Sequence, residues 1–236
     1  TATLLEALLD SDVERLIVAS SMSIYGEGLY RNADGETCTA PQRSLDRLKA
    51  GDWEVYDEAG RVLTPMPTPE TKSPDLASIY ALSKYDQERM CLTVGRAYGL
   101  SVVALRFFNA FGTRQALSNP YTGVLAIFAS RLLNDKPPLI FEDGNQQRDF
   151  VSAHDIARAS RLALETDAAY GRVFNIGSGR SYTIKEVAHA VAEAMGKPEV
   201  TPEITGKYRA GDIRHCYSDI RAAREVLGYE PLVRLE

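Results

Sequence analysis

The 236-residue sequence predicts an α/β fold with a mainly parallel sheet. Apolar, β-rich runs alternate with stretches of helical periodicity along the chain, and several of those runs end in small or polar residues. RLIVAS (15–20) runs into a serine-rich turn, and SVVALRFF (101–108) is followed by Asn109 and Gly112. Ligands of open α/β sheets sit at such carboxyl ends of parallel strands.

The elements follow in order. TATLLEALLD (1–10) has helical spacing and precedes the strand RLIVAS, so the chain opens as helix then strand. Leu76–Tyr98 reads as a long helix in which Leu76, Ile79, Tyr80, Met90, Val94 and Tyr98 share faces, with Gly99 as its stop. After the strand SVVALRFF, Val124–Asn134 is helical up to Asn134-Asp135 and Pro137-Pro138, and PLIFED (138–143) is a short strand. The last third predicts a helix over 153–166, a strand at RVFNIG (172–177), a helix over 184–195, an extended piece at 200–204 and a helix over 220–227. Residues 28–74, rich in Gly, Pro and charge, are long for a connection and read as a functional insertion or lid.

Composition removes several function classes. At 44% hydrophobic and 25% charged the chain is globular, and a net charge of −5 offers no broad basic surface for nucleic acid or anionic membrane. No apolar run approaches the roughly 18–20 residues of a membrane helix, and Thr1–Asp10 has no leader-like regions, so a cytoplasmic location is expected. Cys38, Cys91 and Cys216 are odd in number and widely spaced, and the three histidines lack ligand spacing; neither a disulfide framework nor a metal site is expected.

Tyr80 and Lys84 form Y-x-x-x-K on one helical face. A phenol titrates near pH 10, but an adjacent ammonium favours phenolate, which makes tyrosine usable as a general base. Alone, the pattern more often marks a core aromatic beside a solvated lysine. Its neighbours strengthen it, because Ser20, Ser21 and Ser23 follow one strand and Asn109 follows another. No GxGxxG or GxxGxxG occurs, so either no dinucleotide binds or the first half of such a domain lies elsewhere.

The stretches SSMSIYG (20–26), YALSK (80–84), RFFNAFG (106–112), QRDFVSAHD (147–155), NIGSG (175–179) and RAGD (209–212) occur in the order found in NAD-dependent nucleotide-sugar epimerases and dehydratases. The chain resembles that family of extended short-chain dehydrogenases over nearly its whole length. The resemblance implies a doubly wound Rossmann-type sheet lacking its N-terminal part, and a smaller C-terminal α/β substrate-binding domain. Roughly a hundred residues with the glycine fingerprint are then expected ahead of Thr1. Residues 1–115 would belong to the NAD-binding domain, with the insertion at about 28–74. Residues 116–236 would mainly bind nucleotide-sugar, with a strand and helix near 147–170 returning to the first domain.

By the same resemblance Tyr80 is the catalytic base, Lys84 holds the nicotinamide ribose, and Ser21 bonds the reacting sugar oxygen. Ser20, Tyr80, Lys84 and Phe107 would face NAD. Asn109, Arg148 and Arg209 would hold the sugar diphosphate, Asp212 a ribose or sugar hydroxyl, and Val124, Leu139 and Phe141 the nucleotide base. Arginine's planar fork suits phosphate oxygens; the alternative for Arg148 is a surface salt bridge with Asp149 or Asp155.

Met22 and Ser23 stand where dehydratases resembling this chain carry acids, which favours epimerisation, at ring carbon 4, through a transient keto-sugar. SMSIYGEGLY, the insertion's AGDWE and PMPTPE, and RQALSNPYTGV bring the resemblance nearest to dTDP-L-rhamnose 4-epimerase-like enzymes. The substrate would be a dTDP- or UDP-hexose, and the resemblance favours a homodimer packed through the long helices. A nucleotide-sugar dehydratase or reductase, or a non-catalytic nucleotide sensor on the same fold, are the alternatives.

Overall fold

A computed structural model of the chain describes residues 1–116 and 123–235. Helix α1 (Ala2–Leu9) leads into β1 (Arg15–Ser21) and a 3-10 turn, Met22–Tyr25. The insertion then builds β2 (Leu29–Arg31), β3 (Thr37–Thr39), α2 (Leu45–Lys49) and β4 (Thr64–Met66). Next come α3 (Ile79–Tyr98), β5 (Ser101–Phe107), β6 (Asn109–Phe111), α4 (Val124–Leu133), β7 (Leu139–Ile140), β8 (Gln147–Arg148), β9 (Phe150–Ser152) and α5 (Ala153–Glu165). The chain finishes with β10 (Val173–Ile176), β11 (Tyr182–Thr183), α6 (Ile184–Ala194), β12 (Glu203–Ile204), β13 (His215–Cys216) and α7 (Arg221–Leu227).

β1, β5 and β10 form a parallel sheet in the order β1-β5-β10. The central strand β5 has no solvent face, which is why its sequence reads as a continuous apolar run. Val103 and Leu105 pack with Ala159 and Ala163 of α5 and with Ala223 and Leu227 of α7. Val102 and Ala104 point the other way, onto Cys91 and Leu92 of α3 and Leu5 of α1. Helices therefore cover both faces, and each buried leucine or valine contributes about 1.5–3 kcal/mol. The sheet also recruits β10, and α7 packs on that strand, so chain after residue 170 returns to this layer as well.

A second layer is smaller. β8 sits between β11 and β13, β7 pairs with β12, and Phe128, Ile140, Phe150, Val187 and Ala188 form the core that joins α4 to α6. The insertion is ordered: β3-β2-β4 is antiparallel around Tyr30, Val55 and Leu63.

The long helix differs from expectation in which face it buries. Ala81, Glu88, Cys91, Leu92 and Gly95 point inward, whereas Ile79, Tyr80, Met90 and Tyr98 are exposed. The reason is a charge that periodicity reads as solvent-facing. Glu88 is fully buried, and Arg106 of β5 grips it through Nε–H to Oε2 (2.9 Å) and Nη2–H to Oε1 (2.7 Å). The helix stops at Gly99 as expected, with φ 78° and its N–H on the Gly95 carbonyl. The strand at PLIFED is shorter than expected, because Glu142 adopts φ 54°, outside the β region.

Removing one partner of a buried pair leaves the other charge uncompensated. Glu88→Ala is expected to lower the unfolding free energy by about 3–5 kcal/mol in denaturant titration, and Glu88→Leu with Arg106→Met to recover most of it. A single-variant loss below about 1 kcal/mol would be the value for an exposed pair and would contradict this role.

Candidate active site

A cleft of about 1120 Å³ opens at the carboxyl ends of β1 and β5 and runs toward the smaller layer. Every residue given a site role from the sequence lines it: Ser20, Ser21, Tyr80, Lys84, Phe107, Asn109, Val124, Leu139, Phe141, Arg148, Arg209 and Asp212. The volume suits a ligand of nucleotide size. ALSNPYT, the stretch just before Gly123 that formed part of the sequence resemblance, falls largely outside the described residues; Gly123 is the N-cap of α4.

One wall carries hydroxyls. Strand register sets Ser20 beside Arg106 and Ser21 beside Phe107. Ser20 borders the cleft while its Oγ donates to the buried Glu88 carboxylate behind the wall at 2.6 Å. Ser21 Oγ accepts from the Ser23 amide (3.1 Å) and from Ser23 Oγ (2.9 Å). With both acceptor positions filled, its own O–H is left to donate. The turn that arranges this ends at Gly26, φ 61°, where a Cβ would lie 2.8 Å from Asp75 Oδ2 and 2.9 Å from its carbonyl. No other residue fits there.

Tyr80 lies in the first turn of α3, which Ser78 caps by accepting from the Ala81 amide. Its hydroxyl has no hydrogen-bond partner among the described residues, and the residue is 57% exposed. Lys84, one turn on, donates from Nζ to the Ala19 carbonyl at 3.0 Å, which ties the helix to the end of β1.

The opposite end is cationic. Arg148 does not form the salt bridge offered as its alternative. Asp149 instead accepts from Ser178, Gly179 and Ser218, and Asp155 from Arg158 and the amides of Leu232 and Val233. The Arg148 guanidinium is braced by the carbonyls of Gln147 and Arg214, each at 2.9 Å, and of Ile213. Arg209 stacks on the Phe141 ring, 5.1 Å from its centroid. Neither arginine pairs with a carboxylate among the described residues. Partial desolvation by its neighbours raises the Asp212 carboxyl from its ordinary value, against the opposing pull of Arg209 and Arg148. Behind the cleft, burial and Arg214 push His215 down to about 3, so it is neutral and accepts from the Gln147 amide through Nδ1.

Sequence reasoning placed Ser23 at the strand end without giving it a role, and missed Gln146, Arg131 and Glu142; all four line the cleft. Gln146 was findable, since it precedes the QRDF motif and its Nε2–H holds the Phe141 carbonyl at 2.8 Å. Glu142 carried no local signal: its partners Arg43 and Arg214 are distant in sequence. Among the described residues no three His, Cys, Asp or Glu side chains gather as a metal site, and no helix is long and apolar enough to cross a membrane.

A parallel sheet with hydroxyls at its strand ends, facing arginines without carboxylate partners, defines a Rossmann-type protein built for an anionic ligand. The chain belongs to the NAD dependent epimerase/dehydratase family, whose model matches residues 51–177, more than half of its length. It is 36% identical over 225 residues to the dTDP-L-rhamnose 4-epimerase of Burkholderia thailandensis, covering 95% of this chain and 60% of that protein. Among solved structures it is similar to the UDP-glucose 4-epimerase of Thermotoga maritima with UDP-glucose, at a TM-score of 0.78 and 31% identity, over 99% of this chain and 63% of that one. The UDP-glucose 4-epimerase of Thermus thermophilus complexed with NAD gives 0.73 and 31%, over 99% and 64%. The chain thus spans about three fifths of the length of these relatives.

Proposed function

We propose that this chain carries the catalytic and sugar-nucleotide half of an NAD-dependent epimerase that inverts carbon 4 of a nucleoside-diphosphate hexose. The observation that carries the reading is the convergence of Ser21, Tyr80 and Lys84 on one wall of a cleft whose other end holds Arg148 and Arg209. The similar proteins named above act on dTDP-L-rhamnose and UDP-glucose, which supports a dTDP- or UDP-hexose as substrate.

The residues present fit NAD. Lys84 Nζ is anchored by Ala19 and retains donors for a ribose hydroxyl, and Phe107 lines the cleft beside it. The chemistry required of the cofactor is reversible hydride acceptance at the carbon whose hydroxyl Tyr80 deprotonates. Tyr80 acts as the base, with Lys84 one helical turn away on the same wall of the cleft. Ser21 donates its remaining O–H to the same sugar oxygen, which holds the hydroxyl toward the phenol and steadies the keto-sugar. Arg148 and Arg209 hold the diphosphate, Asn109 and Asp212 bond the polar groups between, and Val124, Leu139 and Phe141 wall the base. Elimination of water would need an acid beside Ser21. The positions that follow are Met22 and Ser23, and the cleft's lining acids, Glu142 and Asp212, lie among arginines instead. That favours epimerase over dehydratase. A homodimer in the cytoplasm completes the reading; the exposed Leu82, Met90 and Tyr98 along α3 support its dimeric part.

In the full-length gene product, Tyr80→Phe is expected to bind nucleotide-sugar nearly normally and to lose about 100-fold or more in kcat, since only the proton acceptor is removed. Near-normal kcat in steady-state assays would take Tyr80 out of the mechanism. Arg148→Ala and Arg209→Ala are each expected to weaken UDP or dTDP binding about ten- to a hundred-fold in calorimetry, the worth of one charge-assisted contact. Unchanged affinity would place the diphosphate elsewhere.

A further inference from the structure

Residues 28–74 form a small sheet that sits beside the cleft, and two of its side chains reach the segment that carries Arg209 and Asp212. We propose that the insertion is a working part of the substrate site: Arg43 and Trp53 are positioning residues that brace the 207–212 segment so that Arg209 and Asp212 face a bound nucleoside diphosphate. The inference rests on the nucleotide-sugar reading of the cleft and assigns the insertion a task within it.

The Arg43 side chain is only 4% exposed, and its guanidinium works as a fork. Nη2 donates to the Asp212 carbonyl and to Glu142 Oε1, both at 2.8 Å, while Nη1 donates to Glu142 Oε2 at 3.0 Å and to the Trp53 carbonyl at 3.3 Å. One side chain of the insertion therefore binds the backbone of Asp212 and a carboxylate that lines the cleft. Glu142 is tied to the same segment from its other side, because its amide donates to the Lys207 carbonyl at 2.7 Å. Its φ of 54° is a conformation a glutamate adopts only when its surroundings fix it. Arg43 and the fully buried Arg214 supply that fixation.

Between those two anchors the Trp53 ring packs on Tyr208, with centroids 6.0 Å apart and planes at 50°. The next residue of the insertion, Glu54, accepts from Arg214 Nη2 at 3.1 Å. Residues 207–212 have no helix or strand of their own, so these contacts set where Arg209 points. A segment held at few points has low local stability, and any support removed must be replaced by ligand binding energy. The cost then falls on affinity rather than on the chemical step at Tyr80.

The insertion also has internal contacts separate from this one. Its own core is Tyr30, Val55 and Leu63, and its outer hairpins are joined by Arg61 to Asp34 and Asp57. Arg61 therefore provides a control within the same substructure.

The test uses the full-length gene product, with steady-state kinetics on the nucleotide-sugar that it turns over and calorimetry with UDP and dTDP. Arg43→Met and Trp53→Leu are each expected to raise KM, and the Kd of the nucleoside diphosphate, about tenfold while kcat falls less than about threefold. Arg43→Lys keeps one donor without the fork and is expected in between, and Arg61→Ala is expected to leave both constants unchanged. The proposal is overturned if Trp53→Leu and whichever Arg43 variant folds keep wild-type KM and Kd, or if Arg61→Ala raises them equally. A wild-type protein that binds neither UDP nor dTDP overturns the nucleotide-sugar reading, and this proposal with it.

Discussion

The buried ion pair between Glu88 and Arg106 is the joint on which the hydroxyl wall of the cleft is hung. It fastens α3 to β5 where both meet the end of β1, and the same carboxylate accepts the Ser20 hydroxyl. Tyr80 and Lys84 lie upstream on that helix, so their height above Ser21 is set by this contact together with the Lys84 bond to Ala19. From Arg106 the polar path continues through Nη1 to Tyr25 Oη and the Glu70 carbonyl, then from Tyr25 to Asn175 and from Asn175 to Thr68 at the end of the insertion. Buried polar chains of this kind are costly unless fully satisfied, and once satisfied they permit little slippage. The proposed placement of a phenol and a hydroxyl on one sugar oxygen needs that rigidity.

The two ends of the cleft divide the work by electrostatics. At the strand ends stand hydroxyls whose donor directions are set by Ser23 and by the turn that closes at Gly26, with the single ammonium of Lys84 tied to the Ala19 carbonyl. At the other end, Arg148 and Arg209 line the cleft without a close carboxylate ion pair among the described residues, and Asp212 beside them is held in an environment that on balance disfavours its ionisation. A ligand with a diphosphate at one end and a sugar ring at the other matches that polarity.

Much of this was legible in the sequence because local chemistry carried it. Strand ends with small hydroxyls, the Y-x-x-x-K spacing and the glycine stop at Gly99 depend on neighbours a few residues away, and the site residues named from motifs all line one cleft. What was not legible depended on partners far along the chain. Glu88 reads as a solvent-facing residue until Arg106 is seen beneath it, which is why the buried face of α3 differs from its apolar periodicity. Glu142 breaks the expected strand because Arg43 and Arg214 hold it at positive φ, and neither is near it in sequence. The insertion read as an irregular lid; its short strands, three residues each, give too little alternation to announce a sheet.

In the proposed reaction one sugar carbon is inverted by removal and return of its own hydride, with Tyr80 moving only the hydroxyl proton. Turnover of the nucleotide-hexose in D2O, followed by proton NMR of the product, tests this directly. The inverted ring carbon is expected to keep its original hydrogen, with no deuterium entering from solvent. One deuterium per turnover at that carbon would mean that a proton, not a hydride, leaves it, and would contradict the mechanism.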